Sequence, residues 1–198
     1  MWPLFLTSVI SLAVVIERII FLVGEQRKRE PKIVENLLAH VEQGRIATAI
    51  DEAEESPDFV ARTLVYALKN RDKSFSAALL RAANHELKRF NQGLSILDTV
   101  ITLAPLLGLL ATVTGMIHAF GILGNRELDA PTVITGGISE ALIGTAFGLG
   151  IAVLALIPFN YLNARLEEAR HEIEDASTHL ELLLKNQEKE HADSLAAG

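Results

Sequence analysis

The chain has 198 residues, of which 49% are hydrophobic, and its formal net charge is −7 at neutral pH. It contains no cysteine, which excludes disulfides and thiol chemistry. The acidic balance, without a basic patch interleaved with aromatic residues, argues against nucleic-acid binding. No nucleophile–base pair, phosphate-binding loop or metal-ligand spacing points to an enzyme, a cofactor or a metal site. The apolar residues are concentrated in long runs between charged segments, which is typical of membrane proteins.

The first apolar run, residues 1–23, predicts a transmembrane helix, although Glu17 and Arg18 interrupt it near its end. We expect this pair at the membrane interface, with the Arg18 side chain extending toward water. A signal peptide would carry a basic residue before the apolar stretch and a small-residue cleavage site, and this run shows neither clearly. Basic residues follow the run instead, at Arg27, Lys28, Arg29 and Lys32. Because positive charge is retained in the cytoplasm, the N-terminus is predicted to lie outside.

Residues 24–98 are predicted to form a helical insertion on the cytoplasmic side. Apolar residues at helical spacing on either side of Gly44 predict two short helices, and a third is expected after Pro57. Ser74 is predicted to be the N-cap of the next segment. From there a single long helix is expected to run into the second span, because a heptad spacing continues through Leu80, Ala83, Leu87, Phe90, Leu94, Leu97 and Ile101.

The second span is predicted over residues 99–123 and the third over 134–161, joined by a short periplasmic loop at 124–133. Each span carries small residues at intervals of three or four positions. In the second span the stripe consists of Pro105, Gly108, Thr112, Gly115 and Ala119. In the third span it consists of Gly144, Gly148 and Ala152. Small residues let helices pack closely in lipid, so these stripes predict packing faces that either meet each other or together face a third object.

Glu140 is the only charge in the apolar run from Ile134 to Phe159. A carboxylate at the centre of a membrane helix costs roughly 2.5–3.5 kcal/mol, so it persists where it faces protein or water and usually handles ions or protons. The structural alternative is a carboxyl group hydrogen-bonded to a neighbouring helix. Thr112 and Thr145 lie near the middle of their spans, where a threonine either serves an ion path or only satisfies its own backbone. The residue pattern alone leaves both roles open.

Residues 162–198 predict a helical cytoplasmic tail that continues the third span. The heptad spacing persists through Leu162, Leu166, Ala169, Ile173, Ala176, Leu180 and Leu183. Such a seam does not name its partner, so packing within one hairpin and packing between subunits both remain open. The sequence therefore predicts an all-α membrane protein with three transmembrane helices, of which the second and third extend as long helices into the cytoplasm.

Three segments together resemble the MotA/TolQ/ExbB proton-channel family, and its ExbB/TolQ-like branch most closely. They are ERIIFL at 17–22, APLLGLLATVTGMIHAF at 104–120 and GGISEALIGTAFGLGIAVLALIPFNY at 136–161. The resemblance covers nearly the whole chain, except that family members usually carry further residues at the N-terminus. It implies a location in the bacterial inner membrane.

The resemblance also implies a homopentamer around a dimeric, single-span partner of the ExbD/TolR type, whose transmembrane aspartate carries protons inward. A TonB/TolA-like protein is a further partner that the family allows. The family's third-span glutamate matches Glu140, and its pore-lining threonines match Thr145 and Thr112. The helix-packing or pore face is expected to comprise Pro105, Gly108, Gly115, Gly144 and Gly148. Two function classes follow: an energy-converting proton-channel subunit, or a non-conducting membrane scaffold that uses the same helices only for assembly.

Overall fold

The computed structural model describes residues 2–123 and 130–196, and over these residues it contains α-helices and no strand. In chain order the helices are α1 Trp2–Arg27, α2 Pro31–Glu42, α3 Ile46–Ala53, α4 Phe59–Lys69, α5 Arg71–Asn91, α6 Leu94–Leu123 and α7 Ala130–Ala196. The predicted all-α class is therefore confirmed.

Within the described residues, three helices are long and apolar enough to cross a membrane. These candidate spans are Trp2–Arg27, Leu94–Gly121 and Thr135–Gln187. Of the predicted periplasmic loop at 124–133, residues 124–129 lie outside the described part of the chain, and α7 begins at Ala130. The helix α7 continues without a break to Ala196, whereas the predicted cytoplasmic location of its second half stays a prediction.

The prediction of one continuous helix from Ser74 into the second span is wrong. The helix α5 ends at Asn91 and α6 begins at Leu94, because Gly93 adopts a left-handed backbone conformation with φ of +78°. Glycine reaches this conformation without the steric cost that a Cβ imposes. A Cβ at Gly93 would also lie 3.1 Å from Val14 Cγ1 and 3.2 Å from Arg18 Cδ, so α1 packs closely against this break.

Two local predictions in the insertion are confirmed. Gly44 ends the first short helix with φ of +73°, and its N–H donates to the carbonyl of Val41 at 2.8 Å. Ser74 interrupts the helical backbone of α5, and its Oγ accepts a hydrogen bond from the N–H of Ala77 at 3.4 Å. A short polar side chain that accepts from a backbone amide three residues later is the geometry of an N-cap.

The chain forms two compact units. The first comprises the described residues of 1–20 and 93–163, and therefore holds most of the apolar helices. The second comprises the described residues of 21–92 and 164–198. The part of the predicted heptad seam that lies in the second unit is buried at Leu166, Ala169, Ile173, Ala176 and Leu180. This seam therefore packs within the chain.

Four charged side chains from three helices form an ion-pair cluster in the second unit. The guanidinium of Arg62 lies 2.8 Å from the carboxylate of Glu86 and 3.3 Å from that of Glu25, and Arg89 lies 2.7 Å and 3.4 Å from the same two groups. Burial disfavours the ionised form of Glu86, but hydrogen bonds from Arg62 and Arg89 outweigh it and lower the pKa of this carboxyl group. The cluster joins the end of α1 to α4 and α5.

Asp58 forms a second polar centre in this unit. Its buried carboxylate caps α4 by accepting from the N–H of Val60 at 2.8 Å and of Ala61 at 3.3 Å, and it also pairs with Arg29. The same guanidinium lies 2.6 Å from the carboxylate of Glu172 on α7. Burial raises the pKa of Glu172 in spite of Arg29, and the nearby Glu168 and Asp58 carboxylates raise it further. Arg29 thus links the N-terminal end of α4 to the C-terminal half of α7.

Candidate ion pathway in the membrane helices

The apolar helices α6 and α7 approach each other closely because their contact is made of small residues. A Cβ at Gly108 would lie 3.0 Å from Thr145 Cα, and one at Gly148 would lie 2.5 Å from the Ala104 carbonyl oxygen. A Cβ at Gly115 would lie 2.8 Å from Ala141 Cβ. Only glycine permits backbones this close, as expected for helix packing in lipid. The two small-residue stripes of one chain therefore face each other.

The contacts also define how the two helices pair. As the position on α6 rises from Gly108 through Ala111 to Gly115, the position that it meets on α7 falls from Thr145 through Gly144 to Ala141. One further turn along, Ala119 meets Gly137. The helices are therefore antiparallel.

Thr145 lies inside this contact. Its hydroxyl donates a hydrogen bond to the carbonyl oxygen of Gly108 across the two helices, at 2.9 Å. The absence of a side chain at Gly108 is what allows the hydroxyl to reach that backbone. Its oxygen keeps lone pairs that can accept a further hydrogen bond.

Thr112 uses its hydroxyl differently. It donates to the carbonyl of Leu109 in its own helix, at 2.7 Å. Pro105 lies within α6, one turn before Gly108, and is half-buried. Proline has no N–H, so it leaves a carbonyl of the preceding turn without its helical donor. The structure thus brings Thr145 together with Gly108, whereas Thr112 contacts its own backbone and is half-buried.

Glu140 is exposed on α7, one position before the buried Ala141. It lines a groove of about 400 Å³ between α1, α6 and α7. The other residues that line this groove are largely apolar and include Pro3 and Leu4 of α1. The carboxylate thus lies at the rim of the α6–α7 contact.

The same groove contains two polar side chains of α6 that sequence reasoning did not select, namely Thr114 and His118. The Thr114 hydroxyl donates to the carbonyl of Leu110 at 2.9 Å. His118 is exposed. The signal that points to it is spacing, since positions 107, 111, 114 and 118 follow one another at helical intervals and all line the groove.

The chemistry available in this region is hydrogen bonding and proton exchange. Glu140 and His118 are titratable, and Thr114, Thr112 and Thr145 supply hydroxyl oxygens. Among the described residues, no three His, Asp or Glu side chains converge in a way that would hold a metal ion. These groups can donate, accept or exchange protons with water or with a facing side chain.

The sequence of this chain is similar to those of several known proteins. A biopolymer transport protein of Synechocystis sp. named ExbB-like 1 is 35% identical over 193 residues, which cover 93% of this chain and 75% of that protein. The biopolymer transport protein ExbB of Neisseria gonorrhoeae is 32% identical over 101 residues, covering 51% of this chain and 46% of the relative. The Tol-Pal system protein TolQ of Haemophilus influenzae is 35% identical over 94 residues, covering 48% and 41% respectively.

The matched region includes the two helices that carry the candidate residues. Residues 42–175 match the MotA/TolQ/ExbB proton channel family, and this range contains α6 and the part of α7 that bears Glu140 and Thr145. The three apolar helices agree with a multi-pass membrane protein. The chain therefore belongs to the MotA/TolQ/ExbB proton channel family.

Proposed function

We propose that this chain is the proton-channel subunit of an inner-membrane motor of the ExbB–ExbD or TolQ–TolR type. Such a motor converts proton motive force into mechanical work for outer-membrane transport or integrity. The observation that carries the proposal is the exposed Glu140 carboxylate in the otherwise apolar run of α7 from Ile134 to Phe159. Facing lipid, a charge costs roughly 2.5–3.5 kcal/mol near the helix centre. In the membrane this side chain therefore requires water or another protein surface beside it.

An oligomer that encloses a water-accessible path meets this requirement. We propose a homopentamer around the transmembrane helices of a dimeric ExbD/TolR-like partner, with a TonB/TolA-like protein as a further partner of the assembly. The family membership and the names of the relatives support this arrangement. On this proposal Glu140, Thr145 and Thr112 border the ion path, while Gly108, Gly115, Gly144 and Gly148 hold α6 and α7 together at its wall.

The threonines suit a particular role because of how their hydroxyls are used. Thr145 donates to Gly108 and Thr112 donates to Leu109, so both hydroxyl hydrogens are engaged with backbone carbonyls. Each oxygen then offers only acceptor sites to a neighbour. Such an oxygen stabilises a protonated carboxylic acid or water, both of which donate hydrogen bonds, and not an ionised carboxylate. The threonines would therefore favour the protonated form of a partner aspartate as it passes.

The test is proton flux in liposomes that contain the chain together with its single-span partner and a pH-sensitive dye. Glu140→Gln keeps the shape but cannot titrate, and we expect a loss of flux of about tenfold or more. Thr145→Val should lose roughly 2–12-fold, which corresponds to one hydrogen bond of about 0.5–1.5 kcal/mol. Thr178→Val is the matched control, because Thr178 is an exposed threonine of α7 that donates to its own helix at Glu174.

The competing function is a non-conducting scaffold for the single-span partner. It would be supported if the assembled wild-type complex carried no proton flux. If the wild type conducts and Glu140→Gln matches it, Glu140 is a structural hydrogen-bonding residue and not part of the ion path. Mass measurement in mild detergent addresses the oligomer separately. A stable monomer at micromolar concentration would contradict the proposed assembly.

A further inference from the structure

His118 and Glu140 lie at the same level of the antiparallel helix pair. Gly115 meets Ala141, and one turn further Ala119 meets Gly137. These two contacts bracket both side chains, since His118 precedes Ala119 on α6 and Glu140 precedes Ala141 on α7. An α-helix rises 1.5 Å per residue, so the two residues lie within about one turn of each other along the helix axes.

Both side chains also open into the same groove of about 400 Å³. Liquid water takes up about 30 Å³ per molecule, so the groove has room for several waters. It offers them the polar partners that a water in an otherwise apolar site requires, namely the imidazole, the carboxylate and the Thr114 oxygen. Lining residues from α1, including Pro3 and Leu4, close one side of the groove with apolar surface.

We propose that His118 is the proton-transfer partner of Glu140 on the outer side of the membrane, an inference that rests on the proposed channel function. Neutral His118 accepts a proton from a hydronium ion in the groove, through the ring nitrogen that carries no hydrogen, so that the hydronium becomes water and the ring becomes an imidazolium. Transfer of a proton to the ionised Glu140 carboxylate returns the ring to its neutral form and leaves a carboxylic acid. Charge and protons balance, and the proton then continues inward from Glu140.

The groups around the pair make this assignment specific. Among the described residues that line the groove, His118 on α6 and Glu140 on α7 are the titratable ones, and α1 contributes only apolar residues. No other charged side chain in this lining competes for the proton. Imidazole is the side chain that ordinarily changes charge between about pH 5 and 8, so a histidine can both accept and release a proton near neutral pH.

The test uses the full complex of this chain with its single-span partner in liposomes, with proton flux measured as a function of the outer pH. His118→Gln keeps a hydrogen-bonding side chain of similar reach but cannot titrate. We expect flux to fall by about tenfold or more and its dependence on outer pH between about 5 and 8 to flatten. The control is His171→Gln, which changes a largely exposed histidine of α7 in the second unit and should leave flux and pH profile unchanged.

A double variant tests whether the two residues act together. If His118 and Glu140 serve the same proton transfer, His118→Gln combined with Glu140→Gln should reduce flux no further than the more severe single change. Full additivity of the two losses would overturn the pairing. So would a His118→Gln protein with wild-type flux and pH profile, and in that case the proposed channel function would stand unaffected. If the wild-type complex itself carried no flux, the channel function would fail first.

The juxtaposition has its own test, which needs no conduction. The chain contains no cysteine, so a His118→Cys and Glu140→Cys double variant introduces a single pair of thiols. We expect these thiols to be joined within one chain by a short bifunctional maleimide in membranes. A control that replaces His171 and Glu140 with cysteine should not be joined. Absence of the first cross-link would refute the shared position of the two side chains. This test can be made even if the His118→Gln protein fails to assemble.

Discussion

Replacing Gly148 with alanine tests whether the glycine contact between α6 and α7 contributes to the stability of the first compact unit. The new Cβ would lie 2.5 Å from the Ala104 carbonyl oxygen and 3.0 Å from Gly108 Cα, and both atoms belong to backbone. A carbon and a carbonyl oxygen come no closer than about 3.3 Å even in C–H···O contacts. The helices must therefore separate by on the order of 1 Å, because backbone cannot rotate away as a side chain can.

The energetic cost follows from this separation. Overpacking of a well-packed contact costs about 1–3 kcal/mol. Separation also stretches the nearby hydrogen bond from Thr145 to the Gly108 carbonyl, now 2.9 Å long. For a chain of this size, each kcal/mol lowers the unfolding midpoint by roughly 2–4 °C, so we expect a decrease of roughly 2–12 °C.

A matched control lies two residues away in the same helix. A Cβ at Gly150 would meet nothing within 4 Å, so Gly150→Ala adds the same atom without a clash. Alanine also has the higher helix propensity, by up to about 1 kcal/mol. The measurement is the thermal unfolding midpoint of the purified protein in mild detergent, followed by tryptophan fluorescence or by loss of the size-exclusion peak.

Gly150→Ala should therefore be neutral or slightly stabilising, whereas Gly148→Ala should be destabilising. If the two variants unfold at the same temperature, the tight contact of α6 with α7 does not contribute to stability and the packing argument is refuted. A Gly148→Ala protein with the wild-type unfolding midpoint would also contradict the close approach of the helices that brings Thr145 within hydrogen-bonding range of Gly108.

Three further predictions concern other parts of the chain. Asp58→Ala should lower the free energy of unfolding by about 1–3 kcal/mol in denaturant titration, because it removes a helix cap and one of the two carboxylate partners of Arg29. Asp51→Ala, on an exposed site, should change it little. Gly93→Ala should cost more than Gly44→Ala, since both lose roughly 1–2 kcal/mol to the left-handed backbone but only the first also meets side chains at 3.1–3.3 Å. The lowered pKa of Glu86 stabilises the folded state above the ordinary value of 4.5. This stabilisation is lost as the pH falls through the folded-state pKa. The melting temperature of Glu86→Gln should therefore depend less on acid pH than that of the wild type.

Much of this architecture follows from local sequence pattern. Length and apolarity of the three runs were sufficient to predict three candidate spans, because crossing the hydrocarbon core requires only about 20 apolar residues in succession. The short helices of the insertion were predicted from spacing and from Gly44 and Ser74, whose backbone roles depend on immediate neighbours. The buried heptad positions of α7 were likewise visible as a repeat.

The break at Gly93 shows what the apolar repeat does not determine. Phe90, Leu94 and Leu97 are all buried, so the periodic pattern continues across residues that are not helical. The pattern reports which side chains are buried, and burial is the same whether the backbone between them is a helix or a tight turn. The left-handed turn at Gly93 is accompanied instead by a contact that the repeat does not contain, because Val14 and Arg18 of α1 lie close to this glycine although they are distant in sequence.

The sequence by itself determined that Glu140, Thr145 and Thr112 are polar groups in apolar helices, since that is a matter of composition along each run. Only the tertiary structure decided that the glycine stripes face each other, that Thr145 reaches the Gly108 carbonyl, and that His118 shares a groove with Glu140. The physical reason is that each stripe of small residues predicts which face of its helix is packed, but not which residues that face contacts. Which positions meet is set by the closest approach of two backbones, and that approach exists only once both helices are in place.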